Sequence, residues 1–260
     1  MIALETRSLY KSFGSLAVTQ DVSLAFEASL RYAIIGPNGA GKTTYFNLLA
    51  GNLRPDSGAV LLGDRDVTRL DVAARARIGI ARSFQRNSLF PELTVRDNLA
   101  LACALRAGLA PVFWRPMSRL AGTHAEADAI AEQVGLADMR ELPVRQISYG
   151  SQRQLEVALA LACEPRVLLL DEPTSGMSPE ETARMHALIK QLPRTLTVIV
   201  IEHDMDIVLD FADRIIVLDY GCVLEQGTPA DIRNSQVVRE RYLGEHALGG
   251  APGNAPGHAP

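Results

Sequence analysis

Between the apolar, strand-like segment Tyr32-Ala33-Ile34-Ile35 and a helical pattern from Tyr45 to Ala50, the chain reads Gly36-Pro37-Asn38-Gly39-Ala40-Gly41-Lys42-Thr43-Thr44. A strand, a turn with three glycines and a helix entered through Lys-Thr make a phosphate loop, and few folds accommodate one. The glycines let the backbone curl close to a ligand, so that successive N–H groups and the following helix N-terminus form a concavity of positive partial charge. Lys42 adds a full charge suited to the β- and γ-phosphates of a nucleotide, and the Thr43 hydroxyl is placed to coordinate Mg²⁺. The loop therefore predicts an α/β core with a parallel sheet.

The 260 residues, 47% of them hydrophobic, can bury a sizeable core. The longest apolar runs, Leu196 to Ile201 and Val167 to Leu170, are strand-length, well short of the roughly 18 residues that cross a bilayer. Met1-Ile2-Ala3-Leu4-Glu5 lacks the basic start and apolar stretch of a signal peptide, which predicts a cytoplasmic chain. Cys103, Cys163 and Cys222 are odd in number, widely spaced and free of any CxxC pattern, so they are expected to be buried thiols, neither disulfides nor metal ligands. A net charge of −4 gives no global attraction to nucleic acid or anionic lipid. The local arginines Arg75, Arg77, Arg82 and Arg86, diluted by Asp64, Asp66 and Asp71, read as a solvated helix face or a protein contact.

Strand-like segments at Ala3 to Leu9, Val22 to Phe26 and Ala59 to Leu62 surround the phosphate loop. Residues 94 to 163 then become alanine- and leucine-rich with helical spacing, as in Val95 to Leu105 and Ala125 to Val134, which predicts a helical subdomain inserted into the α/β core. From Val167 the core pattern resumes: a strand, a helix from Pro179 to Leu192, a strand from Leu196 to Glu202, and two short strands, Arg214 to Leu218 and Val223 to Gln226. The turn Asp219-Tyr220-Gly221-Cys222 makes those last two a hairpin. Residues 246–260 are Ala-Pro-Gly repeats, expected to be disordered.

The strand Val167 to Leu170 runs into Asp171-Glu172-Pro173, which places two carboxylates at the carboxyl edge of the sheet that also delivers the phosphate loop. Asp171 suits an Mg²⁺ sphere, and Glu172, one residue on, is placed to orient and deprotonate an attacking water. About twenty residues upstream, Ile147-Ser148-Tyr149-Gly150-Ser151-Gln152 precedes a helical pattern from Arg153 to Cys163. Ser148 can cap that helix, and Gly150 lets its first turn approach an anion closely.

In these three motifs, in this order, the chain resembles the nucleotide-binding subunits of ABC transporters, whose signature loop reads LSGGQ; here Tyr149 stands for the first glycine and Ser151 for the glutamine. The resemblance covers about residues 3 to 245. It implies a P-loop NTPase of ABC type, with an antiparallel β subdomain and an inserted helical subdomain at about 94–163, that binds and hydrolyses ATP with Mg²⁺. It also assigns further residues. Gln85 matches the Q-loop glutamine, whose amide can reach Mg²⁺ or the lytic water, and His203 matches the switch histidine at the γ-phosphate. Ser175-Gly-Met-Ser178 matches the D-loop, with Ser178 in place of the usual aspartate, and Phe13 matches the aromatic that stacks on adenine, with a core phenylalanine as the competing reading.

One copy of each motif implies a head-to-tail pair in which ATP lies between Lys42 of one subunit and Ser148 of the other. The partner is a second copy or a related subunit. Within the family the chain looks most like the ATP-binding subunits of branched-chain amino-acid importers: Ile80-Ala-Arg-Ser-Phe-Gln-Arg86, Leu89 to Val95, the signature tyrosine, Glu202-His-Asp-Met205 and Tyr242-Leu-Gly-Glu245 carry that likeness. Subunits for urea or amide import and for lipopolysaccharide export share much of it. The long segment 106 to 122, with Trp114, is either a permease contact or a cap on the helical subdomain. The implied partners are integral membrane permeases, with a solute-binding protein engaged indirectly and no nucleic acid, and the implied location is the inner face of the cell membrane. A soluble ABC ATPase of DNA repair or the ribosome would carry paired cassettes, coiled-coil inserts or basic surfaces. A GTPase would carry Asn-Lys-x-Asp, and a small-molecule kinase would not need Ser148-Tyr-Gly150 or His203; none of these other features occurs in the sequence.

Overall fold

The structure is a computed structural model that describes residues 1–83, 89–108 and 121–243. Gln85, most of the segment 106–122 and the tail 246–260 lie outside the described residues. In chain order the first elements are β1 (Ile2–Phe13), β2 (Leu16–Glu27), β3 (Arg31–Ile35), α1 (Lys42–Ala50), β4 (Ser57–Leu62), β5 (Arg65–Asp66), α2 (Val72–Arg77) and β6 (Ile80–Arg82). Helices α3 (Val95–Arg106), α4 (Ala121–Gln133) and α5 (Tyr149–Leu161) follow. The chain then runs through β7 (Val167–Asp171), α6 (Pro179–Gln191), β8 (Thr197–Ile201), α7 (Met205–Phe211), β9 (Arg214–Asp219), β10 (Cys222–Gly227) and α8 (Pro229–Asn234).

Two sheets form. One is four-stranded, in the order β2-β1-β4-β5, with antiparallel pairing throughout. The other is six-stranded, in the order β10-β9-β3-β8-β7-β6, with every pair parallel except the β9–β10 hairpin. That hairpin turns through Tyr220 and Gly221, both at positive φ (44° and 77°), the twist a two-residue turn between paired strands requires.

Strands β3, β7 and β8 are buried along their whole length, so they read as unbroken apolar runs, and their side chains still alternate between two separate cores. Tyr32, Ile34, Val167, Leu169, Ile199 and Ile201 pack with α1 and the antiparallel sheet. Ala33, Ile35, Leu168, Leu170, Val198 and Val200 pack with α3 to α6. The same alternation decides which face each strand-end carboxylate projects from.

The helices start where local chemistry allows. Thr94 accepts from the Asp97 N–H at the start of α3, and Ser178 and Glu181 form a capping box on α6, with Pro179 in the first turn. Helix α1 begins at Lys42 and α5 at Tyr149, both earlier than the periodicity suggested, because their first turns carry polar residues that serve the termini and not the core.

Two expectations are corrected. Arg75 is neither a solvated nor a contact residue: it is 0% exposed, and its guanidinium donates to the carbonyls of Leu48 (2.7 Å), Leu49 (2.6 Å), Thr68 (3.1 Å) and Leu70 (3.1 Å). It satisfies the carbonyl end of α1, the helix that carries the phosphate loop, and burial lowers its pKa to about 10 while Asp66 opposes the shift. Arg82 is likewise drawn inward, whereas Arg77 is exposed as expected. Of the cysteines, Cys103 is buried and Cys163 half-buried, but Cys222 is exposed, because it follows the turn on the edge strand β10. No helix among the described residues is long and apolar enough to cross a membrane.

Because Arg75 donates to four carbonyls, Arg75→Met is expected to cost at least about 3 kcal/mol, since buried acceptors left without donors cost about 1–3 kcal/mol each and some will recover a partner. Urea unfolding followed by circular dichroism measures this; a loss below about 1 kcal/mol would show that the carbonyls find other donors.

Candidate nucleotide-binding and hydrolysis site

The parallel register brings four strand ends side by side. Ile34 and Asp171 both pair with Ile201, so the loop after β3, the Glu202-His203 pair after β8 and the Asp171-Glu172 pair at the end of β7 emerge at one edge. On the far side of β7, the Ser83 N–H donates to the Leu169 carbonyl, which places the end of β6 at the same edge.

The phosphate-loop glycines answer specific steric demands. A Cβ on Gly36 would lie 2.1 Å from the Leu218 carbonyl oxygen, and one on Gly41 would lie 2.4 Å from that of Val18, where β2 passes over the loop. Gly41, at φ 94°, caps α1 without a side-chain hydrogen bond, so the first N–H groups of the helix stay available. Pro37 accepts from the Ala40 N–H, and Asn38 and Gly39 form the exposed tip. Lys42 Nζ donates to the carbonyls of Gly36 (2.7 Å) and Pro37 (3.0 Å). Burial lowers the Lys42 pKa, and the charges of Glu172 and Asp171 push it back up, which places both carboxylates within electrostatic reach of the loop. Thr43 is exposed in the first turn and Thr44 half-buried beside it.

Asp171 is buried. Its Oδ2 accepts from Arg82 Nη2 at 2.5 Å, and its Oδ1 finds no hydrogen-bond partner among the described residues. Burial raises its pKa, and Arg82 opposes the rise. Glu172 adopts a left-handed backbone at φ 45°, and its Oε1 lies 2.8 Å from His203 Nε2. A non-glycine residue in that conformation stores strain, which is common where a side chain must be aimed.

Sequence reasoning assigned nothing to Glu202. Its buried carboxylate accepts from Thr174 Oγ1 (2.7 Å), the Thr174 N–H and the His203 N–H, so it binds the stretch after Glu172 to the base of His203. Burial raises its pKa.

The signature-like loop is tied to the start of α6. Ser148 does cap α5, accepting from the Ser151 N–H, but the anion beside Gly150 belongs to the same chain: Glu181 Oε1 accepts from Ser148 Oγ (2.9 Å) and the Gly150 N–H (3.0 Å). Its other oxygen accepts from the Ser178 N–H, so one carboxylate serves the N-termini of α5 and α6. These three donors, led by the Ser178 N–H, lower the Glu181 pKa. A Cβ at Gly150 would meet that carboxyl at 2.5 Å, so a larger residue there would have to displace the Glu181 side chain. Tyr149 donates to the Ser175 carbonyl, tying the loop to the segment before α6. The pattern Ser178-Pro-Glu-Glu181 is a local signal for the capping box on α6, a signal the reading of Ser178 as part of the D-loop passed over, and nothing local signals its reach to α5.

The structure thus gathers the loop from Gly36 to Thr44 with Asp171, Glu172 and His203. Ser148 and Gly150 donate to Glu181, and Ser148 also accepts from the Ser151 N–H, so their hydrogen bonds lie outside that loop. Phe13 is 49% exposed at the tip of the β1–β2 hairpin, with Lys11 Nζ 5.7 Å from its ring, so the competing reading as a core residue is set aside.

A phosphate loop on a parallel sheet with a strand-end carboxylate pair defines a P-loop nucleotide-binding protein, as the sequence predicted. The family profile described as ABC transporter matches residues 19–175. The high-affinity branched-chain amino acid transport ATP-binding protein LivG of Escherichia coli (strain K12) is 39% identical over 249 residues, which span 93% of this chain and 98% of LivG. BraF of Pseudomonas aeruginosa, which bears the same description, is 38% identical over 93% of this chain and 98% of its own length. The lipopolysaccharide export system ATP-binding protein LptB of Haemophilus influenzae is 33% identical over 94% of this chain and 98% of LptB. An ATP-binding cassette of an ABC transporter, solved in its ADP conformation, superimposes with a TM-score of 0.81 at 28% identity, covering 94% of this chain and all of that one. The chain belongs to the ABC transporter family and has its ATP-binding, ATP-hydrolysing cassette fold.

Since the Gly36 Cβ would strike backbone, Gly36→Ala is expected to weaken binding of a fluorescent ATP analogue at least about tenfold, through displacement of the loop from β9. Equilibrium titration checks it, and wild-type affinity would show that the loop tolerates the shift.

Proposed function

We propose that this chain is the ATPase subunit that energises a membrane importer for branched-chain amino acids. The observation that carries the reading is the convergence of Lys42, Asp171 and the Glu172–His203 pair at adjacent ends of β3, β7 and β8, in a chain 39% identical to LivG over nearly its full length. It is read as one ATPase domain over 3–245 with a helical subdomain at about 94–163; the packing of α3 on α4 and α5 supports that division.

In this reading the loop from Gly36 to Thr44 cradles the phosphates, Lys42 offsets their β/γ charge, and Phe13 stacks on adenine. The oxygen-donor set of Thr43 Oγ1, Asp171 Oδ1, which has no partner among the described residues, and the Gln85 amide suits Mg²⁺, a hard cation. Mg²⁺ bound there supplies neutralisation of charge on the β- and γ-phosphates. Glu172 takes the proton of the attacking water, and His203, hydrogen-bonded to Glu172 Oε1, orients that carboxylate and lies toward the γ-phosphate. Gln85 orients the same water. Ser148 and Gly150 serve an ATP bound by a partner cassette, either a second copy or a related subunit, so hydrolysis times the opening of a head-to-tail pair. The cassette works at the inner face of the cell membrane on integral permeases, which a solute-binding protein loads, and it has no nucleic-acid partner. Lipopolysaccharide export is the second reading, supported by the LptB likeness over the same span.

Lys42→Ala is expected to lose hydrolysis and weaken ATP binding, whereas Glu172→Gln should keep binding, lose about 10²–10⁴-fold in turnover and accumulate as an ATP-bound dimer on size exclusion. Normal hydrolysis by Glu172→Gln would remove Glu172 from the chemistry. Mixing Ser148→Arg with Lys42→Ala subunits leaves each mixed pair one intact composite site, so partial activity is expected to return. No recovery, with mixed dimers confirmed and no nucleotide crosslink to Ser148→Cys, would argue that each chain is catalytically self-contained. Isolated chain should bind Mg-ATP but not leucine, isoleucine or valine in calorimetry, and its ATPase should rise with its permeases and loaded binding protein. Stimulation by lipopolysaccharide in place of an amino acid would favour the second reading.

A further inference from the structure

We propose that Arg82 is a positioning residue for the metal-binding carboxylate: it pins Asp171 through Oδ2 and so leaves the buried Oδ1 free for the cation. The inference rests on the reading that Asp171 belongs to the Mg²⁺ sphere.

Arg82 is built into the sheet at the end of β6, in register with Leu169 on β7, and Asp171 lies two residues further along β7 and so projects from the same face. That is the face packed by α1. There the guanidinium is held on three sides: Nη2 donates to Asp171 Oδ2 at 2.5 Å, Nη1 donates to Asn47 Oδ1 at 2.6 Å and more weakly to Asn52 Oδ1 at 3.3 Å, and the Phe46 ring lies 5.9 Å away. Phe46 and Asn47 belong to the helix that opens with Lys42 and Thr43. One planar cation therefore links the strand bearing the carboxylate, the helix bearing the phosphate-loop lysine and threonine, and the strand that leads within three residues to Gln85.

The contact is also selective between the two carboxylate oxygens. Oδ2 has a charge-assisted donor at short range, while Oδ1 is buried with no partner among the described residues, an arrangement that is costly unless something else bonds to it. A guanidinium whose only purpose was to fill the place of a cation would sit between both oxygens, or hang from Asp171 alone. Here it approaches one oxygen and is anchored independently through Asn47, so it is placed to stay when the cation binds. Partners that orient a metal ligand in this way typically tune metal affinity about 10–100-fold.

The two roles predict opposite signs. As a positioning residue, Arg82 strengthens metal binding, so Arg82→Met should lower the Mg²⁺ affinity of the ADP-bound chain about tenfold. As a stand-in cation it would compete, and the same variant would bind Mg²⁺ more tightly. Fluorescent ADP is titrated in EDTA and across an Mg²⁺ series, with Mn²⁺ binding read separately by electron paramagnetic resonance. Binding of ADP in EDTA is expected to stay within about twofold of wild type, which separates the effect from a damaged loop. Arg82→Lys keeps the charge but loses the fork to Asn47, and it should recover only part of the affinity. Should Arg82→Met fail to fold, Asn47→Ala frees one side of the guanidinium and should shift Mg²⁺ affinity in the same direction by a smaller factor. Tighter or unchanged Mg²⁺ and Mn²⁺ binding in the folded variants overturns the inference. Asp171→Asn is the control: if it retains wild-type Mg²⁺ dependence, the metal reading itself fails and the inference with it, whereas loss of that dependence in Asp171→Asn beside an unaltered Arg82 variant sinks the Arg82 role alone.

Discussion

Parallel pairing of β3, β8 and β7 is the constraint on which everything at the candidate site depends. Each of these strands is buried along its whole length, so every backbone N–H and C=O in them must find its partner in a neighbouring strand. A ladder satisfied in this way cannot slip by one residue without exchanging its two cores, because alternate side chains belong to different ones. The register that the cores enforce is therefore the register that sets Gly36, Asp171 and His203 at one edge. Stability and site geometry share a single cause.

Charge is then distributed so that few ionisable groups at this edge stand alone. Glu172 meets His203, Asp171 meets Arg82, and Glu202 is surrounded by the N–H groups of His203 and Thr174 with the Thr174 hydroxyl. The departure is the buried Oδ1 of Asp171. Of the buried side-chain atoms without a partner among the described residues it is the one carboxylate oxygen, and beside a phosphate loop such an oxygen is the kind of feature a functional site retains. Glu172 shares a left-handed backbone with five other non-glycine residues among those described, and at this edge that backbone sets the direction of the carboxylate that meets His203.

Glu181 shows how one side chain can join two motifs that the chain presents far apart. Its carboxylate sits between the N-termini of α5 and α6 and accepts from both, so the signature-like loop and the segment after Glu172 are held as one piece. Tyr149 reinforces the link through the Ser175 carbonyl. In the proposed head-to-tail pair, this piece is what one cassette presents to the nucleotide of the other, which makes its internal rigidity relevant to how closure is transmitted.

Much of the fold and most of the candidate site were legible because their signals are local. A glycine-rich turn between a strand and a helix, a carboxylate pair ending an apolar run, a capping serine and a hairpin turn at Tyr220-Gly221 are each written within a few consecutive residues, where backbone sterics and side-chain period act directly. The sequence by itself determined which segments become strands and helices and which chemistry stands at their ends. Tertiary structure decided the partners. Arg75 became the cap of a helix 26 residues upstream, Arg82 the anchor of a carboxylate 89 residues downstream, and Glu181 a link to a loop 31 residues before it. An arginine in a polar stretch carries no mark of the carbonyl or carboxylate it will meet, because that meeting is set by which strands pair and which helices cross, and only the folded chain brings those groups within hydrogen-bonding distance.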